Sequence, residues 1–298
     1  MHVGIRHPRL DGARSHRPAG RPVIAYPLAV PSSTTRVVED GDGDQAIVLL
    51  HGVGARADRW RTTVSTLAQR GFHAYAIDFP GHGFAEKGEG PNYSVSGYSR
   101  FVIEVMDALN LSHAGIVGTS LGAHVAARTA CDASDRVDAL ALVGPTGLAP
   151  TGSANREALA HAITDTDRDG AARKLRALVH DPAIVTEAWI TEEWRINTSP
   201  GADTALTRLA DYFRRHLDAD AVGDALKQLP QPPPTILIWG TEDKLVPFDL
   251  APQSVALLPD GTELSPIADA GHAPYLERPD EFGELLLAFL ERHRTGTH

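Results

Sequence analysis

The chain has 298 residues, 42% hydrophobic and 22% charged, proportions that exclude disordered, collagen-like and coiled-coil designs for most of its length. Its net charge of −10 would repel phosphate backbones and anionic lipid headgroups, so no nucleic acid and no membrane surface is expected as a partner. No window approaches the ~20 apolar residues of a bilayer span. The single cysteine, Cys131, has no intrachain partner for a disulfide and reads as packing filler near a helix end, which together suggests a cytoplasmic protein.

Residues 1–22 carry Arg6, Arg9, Arg14, Arg17 and Arg21 against Asp11 alone, close to +4, leaving about −14 for the remainder. Lacking the ~7–15-residue apolar stretch of an export signal, this segment reads as a flexible basic arm. Short apolar runs rich in Val, Ile and Leu follow at 46–50, 74–77, 115–117, 139–143 and 235–239. Without alternation, such runs suit strands buried on both faces of a parallel sheet. Helical spacing of apolar residues lies between them at 58–70, 96–109 and 121–130, so the fold class is α/β, doubly wound. The alternation breaks after 143. From 147 to 230 the pattern is helical (156–163, 171–179, 188–196, 203–217), a predicted lid closed by Pro230, Pro232, Pro233 and Pro234. A last strand over 261–267 and a closing helix over 280–292 complete a core of 23–146 and 231–298 around the cap at 147–230.

Gly118-Thr119-Ser120-Leu121-Gly122 fits Gly-x-Ser-x-Gly between a predicted strand and a predicted helix, the turn that exposes a nucleophilic hydroxyl. A serine is a weak nucleophile and needs a base, itself oriented by an acid. Gly240-Thr241-Glu242-Asp243-Lys244-Leu245-Val246-Pro247 leaves a buried strand and offers Asp243, with Glu242 as rival. His272, in Ala270-Gly271-His272-Ala273-Pro274, is the expected base and completes the order Ser, Asp, His. His51, His82 and His124 compete less well, although His51 suits a structural hydrogen bond. Backbone amides of Val53 and Leu121 are the candidate oxyanion donors. Trp189, Trp194, Tyr212 and Phe213 in the cap either line a substrate pocket or supply the apolar face a helix needs to dock. The stretch Asp165-Thr166-Asp167-Arg168-Asp169-Gly170 lacks the ligand ladder of a calcium loop and reads as a solvated turn, so no metal is expected.

His51-Gly52, Asp78-Phe79-Pro80-Gly81-His82-Gly83, Gly118 to Gly122, Gly240 to Pro247 and Gly271-His272 together resemble the α/β-hydrolase fold superfamily over about 34–293. The resemblance implies an eight-stranded, mostly parallel sheet, a nucleophile elbow, a cap over the site and no cofactor. Dehalogenases and epoxide hydrolases of that superfamily use an aspartate nucleophile, which Ser120 argues against. His51-Gly52-Val53-Gly54 through Trp60, and His180-Asp181-Pro182-Ala183-Ile184-Val185-Thr186 through Pro200, are similar to hydrolases that break carbon–carbon bonds in ring-fission products of aromatic degradation. This chain departs from them in Thr119, where they have Asn, and Ala273, where they have Trp. Glu193 stands near the position of their substrate-holding cap arginine, with Arg195 close by. The expectation is therefore a serine hydrolase acting on an ester or lactone of a small, largely apolar molecule, with carbon–carbon cleavage as the alternative and a noncatalytic or lyase role as the outlier. A small-molecule substrate is the expected partner, and a homodimer is left open.

Overall fold

The computed structural model describes residues 23–294, so the basic arm at 1–22 lies outside the described residues. Eight strands form one sheet: β1 (Ile24–Val30), β2 (Ser33–Asp40), β3 (Gln45–Leu50), β4 (Phe72–Ile77), β5 (Ala114–Thr119), β6 (Val137–Val143), β7 (Thr235–Gly240) and β8 (Glu263–Ile267). Their spatial order is β1-β2-β4-β3-β5-β6-β7-β8. From β4 to β8 every neighbouring pair is parallel, whereas β2 joins β4, and β1 joins β2, antiparallel. The chain between successive parallel strands must cross back over the sheet, and helices do this on both faces. α1 (Arg61–Gln69), α2 (Val95–Ala108) and α3 (Leu121–Asp132) fill the first crossovers, with α9 (Ala251–Ala256), α10 (Pro274–Glu277) and α11 (Pro279–Arg292) near the carboxyl end.

The five apolar runs read from the sequence sit inside β3 to β7, and the last predicted strand, 261–267, overlaps β8 at 263–267. β3, β5 and β7 are buried at every position, because helices cover both sides. Alternate residues serve two separate cores. Val48, Leu50, Ile116, Leu142, Leu237 and Trp239 pack with α2 and α3, while Ile47, Leu49, Val117, Val143 and Ile238 pack with α1 and α11. The hairpin β1–β2 had no counterpart among the strand runs read from the sequence. Its outer strand is half-exposed and polar residues interrupt the apolar pattern of β2, so it lacks the unbroken hydrophobic signature of the interior strands.

Between β6 and β7 lie α4 (Ser153–Thr164), α5 (Arg168–Leu178), α6 (Glu187–Asn197), α7 (Ala202–Arg215) and the short α8 (Gly223–Lys227). The apolar face of α7, with Leu206, Leu209 and Phe213, docks onto the core shared with α2 and α3. α5 and α6 make a small core of their own from Ala172, Leu175 and Ile190. Asp167 accepts from the Gly170 amide at 2.6 Å and starts α5, and Asp165 pairs with Arg173 at 2.8 Å, which accounts for the acidic turn as a helix entrance. Among the described residues no helix is long and apolar enough to cross a membrane.

Candidate active site

The parallel register brings the carboxyl ends of β3, β5, β6, β7 and β8 to one edge, where loops of an open α/β sheet collect ligands. Ser120 follows β5 and has φ 54° and ψ −118°, a strained backbone for a residue with a side chain. The turn is held by its amide, which donates to the Val143 carbonyl at 3.0 Å, and by very close backbone packing. A methyl on Gly118 would lie 2.2 Å from the Gly122 carbonyl oxygen, and one on Gly122 would lie 2.3 Å from that of Leu50. Only hydrogen fits at either place.

Asp243 and His272 meet on the same edge. His272 Nδ1 donates to Asp243 Oδ2 at 2.7 Å, and both side chains are buried. The other oxygen, Oδ1, accepts from the amides of Leu245 at 2.8 Å and Val246 at 2.9 Å. The loop itself is pinned by Trp239 Nε1, which donates to the Val246 carbonyl at 2.9 Å. These bonds aim Asp243 at the imidazole and leave Glu242 exposed, resolving the rivalry between the two acids. The Val143 carbonyl that holds Ser120 precedes Gly144, against which the pair packs: a methyl there would sit 3.1 Å from both Asp243 Oδ2 and His272 Nδ1. Serine, imidazole and carboxylate thus share one rim, joined through the end of β6.

The loop after β3 lies over the serine, where a methyl on Gly52 would be 3.2 Å from Ser120 Cβ. Val53 follows directly, and the Leu121 amide opens α3, where helix geometry leaves the first amides without intrahelical acceptors. His51 shapes this loop. Its Nδ1 donates to the Gly52 carbonyl at 2.7 Å, and its Nε2 accepts from the Phe79 amide at 2.9 Å, which sets the neutral tautomer. Burial pushes its pKa down to about 4, with Arg36, Arg56 and Arg59 adding repulsion. His82 is pushed down to about 3, again chiefly by burial, and His124 Nε2 is engaged by the Asp220 carbonyl at 2.7 Å. All three rival histidines have structural partners.

Asp78 is wholly buried and accepts from Arg36 Nε at 3.0 Å, the Ala57 amide at 2.7 Å and the Phe84 amide at 2.9 Å. It ties the loop after β4 to the loop after β3. Sequence reading missed a second ionic centre: Glu193 of α6 accepts from Arg56 Nη1 and Arg59 Nη2, both at 2.8 Å. The pairing spans more than 130 residues, so no local pattern announces it. Trp189 lies over the Arg59 guanidinium at 4.8 Å and lines a cleft of about 690 Å³ between α6 and the loop carrying His272, with His180, Ile184, Leu276 and Glu277. Tyr212 and Phe213 are buried in the core under α7, Tyr212 donating to Asp220, and Trp194 stacks with Arg195.

The match to known proteins falls on this same frame. The family model described as "alpha/beta hydrolase fold" aligns with residues 45–279. The chain belongs to the α/β-hydrolase fold family. Relatives of this α/β hydrolase include the dihydrolipoyllysine-residue acetyltransferase component of an acetoin cleaving system from Pseudomonas putida, 27% identical over 85% of this chain; the chain spans only 65% of that relative's length. A 2-hydroxy-6-oxononadienedioate/2-hydroxy-6-oxononatrienedioate hydrolase from Burkholderia vietnamiensis is also 27% identical, covering 85% of this chain and 90% of its own. Among solved structures, a mutant meta-cleavage product hydrolase from Pseudomonas fluorescens superposes with a TM-score of 0.80 at 27% identity, covering 90% of this chain and 97% of its own.

Proposed function

We propose that this hydrolase works through an acyl-enzyme on Ser120, and that the bond it breaks is a carbon–carbon bond beside a ketone. The observation that carries the serine mechanism is the buried 2.7 Å bond from His272 to Asp243 at the rim where the strained Ser120 turn lies. In this reading His272 takes the Ser120 proton as Oγ attacks the carbonyl carbon, and the amides of Val53 and Leu121 receive the oxyanion. Collapse expels a carbon leaving group stabilised by conjugation, which takes the proton from His272. Water, activated by the same imidazole, then releases the acid and restores the serine. Helices α4 to α8 act as a cap, and Trp189, which borders the cleft beside the strap at His180 and Asp181, is its candidate substrate contact. The meta-cleavage product and oxo-dienedioate hydrolases among the relatives support the carbon–carbon choice.

Ester or lactone cleavage is the second reading. It is favoured by Glu193 and Glu192, which already pair with Arg56 and Arg59 and make a neutral substrate the easier guest. A direct comparison separates them: decay of a coloured 2-hydroxy-6-oxo-dienoate against release of p-nitrophenol from a short-chain ester, both in wild type and in Ser120→Ala. Faster turnover of the dienoate supports carbon–carbon cleavage. Turnover of the ester alone supports the second reading. Absence of a fluorophosphonate adduct on Ser120 in folded protein removes both.

A further inference from the structure

The loop carrying His272 is bound to the strap that leads into α6 by one carboxylate, and this connection lies outside the Ser-His-Asp arrangement. Glu277, at the end of α10, accepts three backbone hydrogen bonds. Its Oε2 takes the Gly271 amide at 2.6 Å, and its Oε1 takes the amides of His180 at 2.7 Å and Asp181 at 3.1 Å. Gly271 immediately precedes His272. His180 and Asp181 belong to the insertion, just after α5. The two segments also touch without intervening side chains, since a methyl on Gly271 would lie 2.6 Å from the His180 nitrogen. Behind Gly271 the chain is equally close to β7: a methyl on Gly240 would lie 2.1 Å from the Gly271 carbonyl oxygen.

We propose that Glu277 is a positioning residue that couples the seating of the insertion to the placement of His272. The inference rests on the serine mechanism proposed above. A carboxylate with two oxygens can satisfy donors on both sides at once, and charge-assisted bonds to amides are stronger and shorter than neutral ones. A glutamine in the same place has one carbonyl oxygen. Its NH2 group must face either Gly271 or the strap, donor against donor, so one of the two attachments is lost. Displacement of the imidazole by an ångström is sufficient to cost about 100-fold in rate. The strap also lines the cleft bordered by Trp189, so a loosened attachment would reach the loop carrying His272 from the insertion side.

The test uses the full chain with a fluorophosphonate, which reports Ser120 activation without a known substrate. Glu277→Gln should lower the maximal inactivation rate, kinact, by about ten- to a hundredfold while the half-saturating concentration, KI, stays within about twofold. Glu277→Asp, which keeps the charge but is too short to span both sides, should fall between, and it serves as the test if the glutamine variant does not fold. Asp167→Ala, which removes the cap of α5 elsewhere in the insertion, should label at the wild-type rate. Hydrogen exchange gives an independent reading: at least one of the Gly271 and His180 amides, whichever side the glutamine NH2 group faces, should lose protection in Glu277→Gln. Labelling of the Glu277 variants at the wild-type rate from pH 6 to 9, an equal loss in Asp167→Ala, or unchanged exchange at both amides overturns the proposal. If the wild type itself does not label, the serine mechanism fails, and hydrogen exchange alone decides whether Glu277 holds the two segments together.

Discussion

Glu193→Gln tests the buried ionic centre under α6. Glu193 is 6% exposed, and its partners Arg56 and Arg59 are 3% and 6% exposed, so neither guanidinium can turn to water when the charge is removed. Arg56 keeps Asp58 and Glu192, but among the described residues Glu193 is the carboxylate paired with Arg59. Removing one partner of a buried pair costs ~3–5 kcal/mol, because the remaining charge stays desolvated. At ~2–4 °C per kcal/mol for a protein of this size class, the melting temperature should fall by roughly 6–20 °C. Glu192→Gln is the matched control. Its side chain is 51% exposed, and a solvent-screened pair contributes at most ~1 kcal/mol. Thermal unfolding by circular dichroism at pH 7, in low salt and in 0.5 M salt, measures both variants. Burial should make the Glu193→Gln deficit nearly independent of salt. A melting temperature within 2 °C of wild type, or a deficit no larger than that of Glu192→Gln, refutes the reasoning. The double change Arg59→Met with Glu193→Leu should recover much of the loss by exchanging the charges for packing.

Ser120→Ala should abolish fluorophosphonate labelling and lower turnover by at least about 10⁴-fold with the melting temperature little changed; near-wild-type turnover would remove Ser120 as nucleophile. Asp243→Asn should cost about 10⁴-fold in kcat by disturbing the imidazole tautomer, measured on whichever substrate the comparison above identifies. Gly144→Ala has both a positive φ of 47° and a methyl 3.1 Å from the Asp243 and His272 side chains, so it should lose activity more than stability, and retention of full activity would contradict the packing described. Stability should also fall in mild acid. The buried His51 and His82 have folded pKa values of about 4 and about 3, below the unfolded value of ~6.5, so the unfolded chain binds more protons as the pH drops. Their contribution is intact above ~6.5 and shrinks by up to roughly 2–3 kcal/mol per pH unit between ~6 and 4. A urea midpoint that holds steady from pH 7 to pH 5 would show this sign to be wrong.

The interior of the sheet was legible because its strands are buried on both faces and therefore carry unbroken apolar runs: 46–50 lies within β3, 139–143 within β6 and 235–239 within β7. The outer hairpin was not, since Pro27 interrupts the half-exposed edge strand β1 and β2 mixes Thr, Arg and Glu with its apolar residues. That Ser120, Asp243 and His272 gather at one sheet edge was legible because each sits in a short motif right after a strand, where chain order constrains the partners. Glu193, Arg56, Arg59 and Glu277 carry no such local signature. Their roles arise from contacts with chain segments far away in sequence, or with backbone amides that any residue could supply. The cap aromatics were ambiguous for a related reason: the same spacing serves docking and lining, and Tyr212 and Phe213 lie in the core while Trp189 borders the cleft.

The crowding at Gly118 and Gly122 has a consequence for how this protein can change. With main chain pressed on main chain from Leu50 to the serine turn, the spacing between the Ser120 backbone and the loop through Gly52 is set by peptide units. Replacing the side chains that shape the chamber therefore leaves that span untouched. On the proposed mechanism, new substrates can be sampled by remodelling α6 and its neighbours without moving the serine turn.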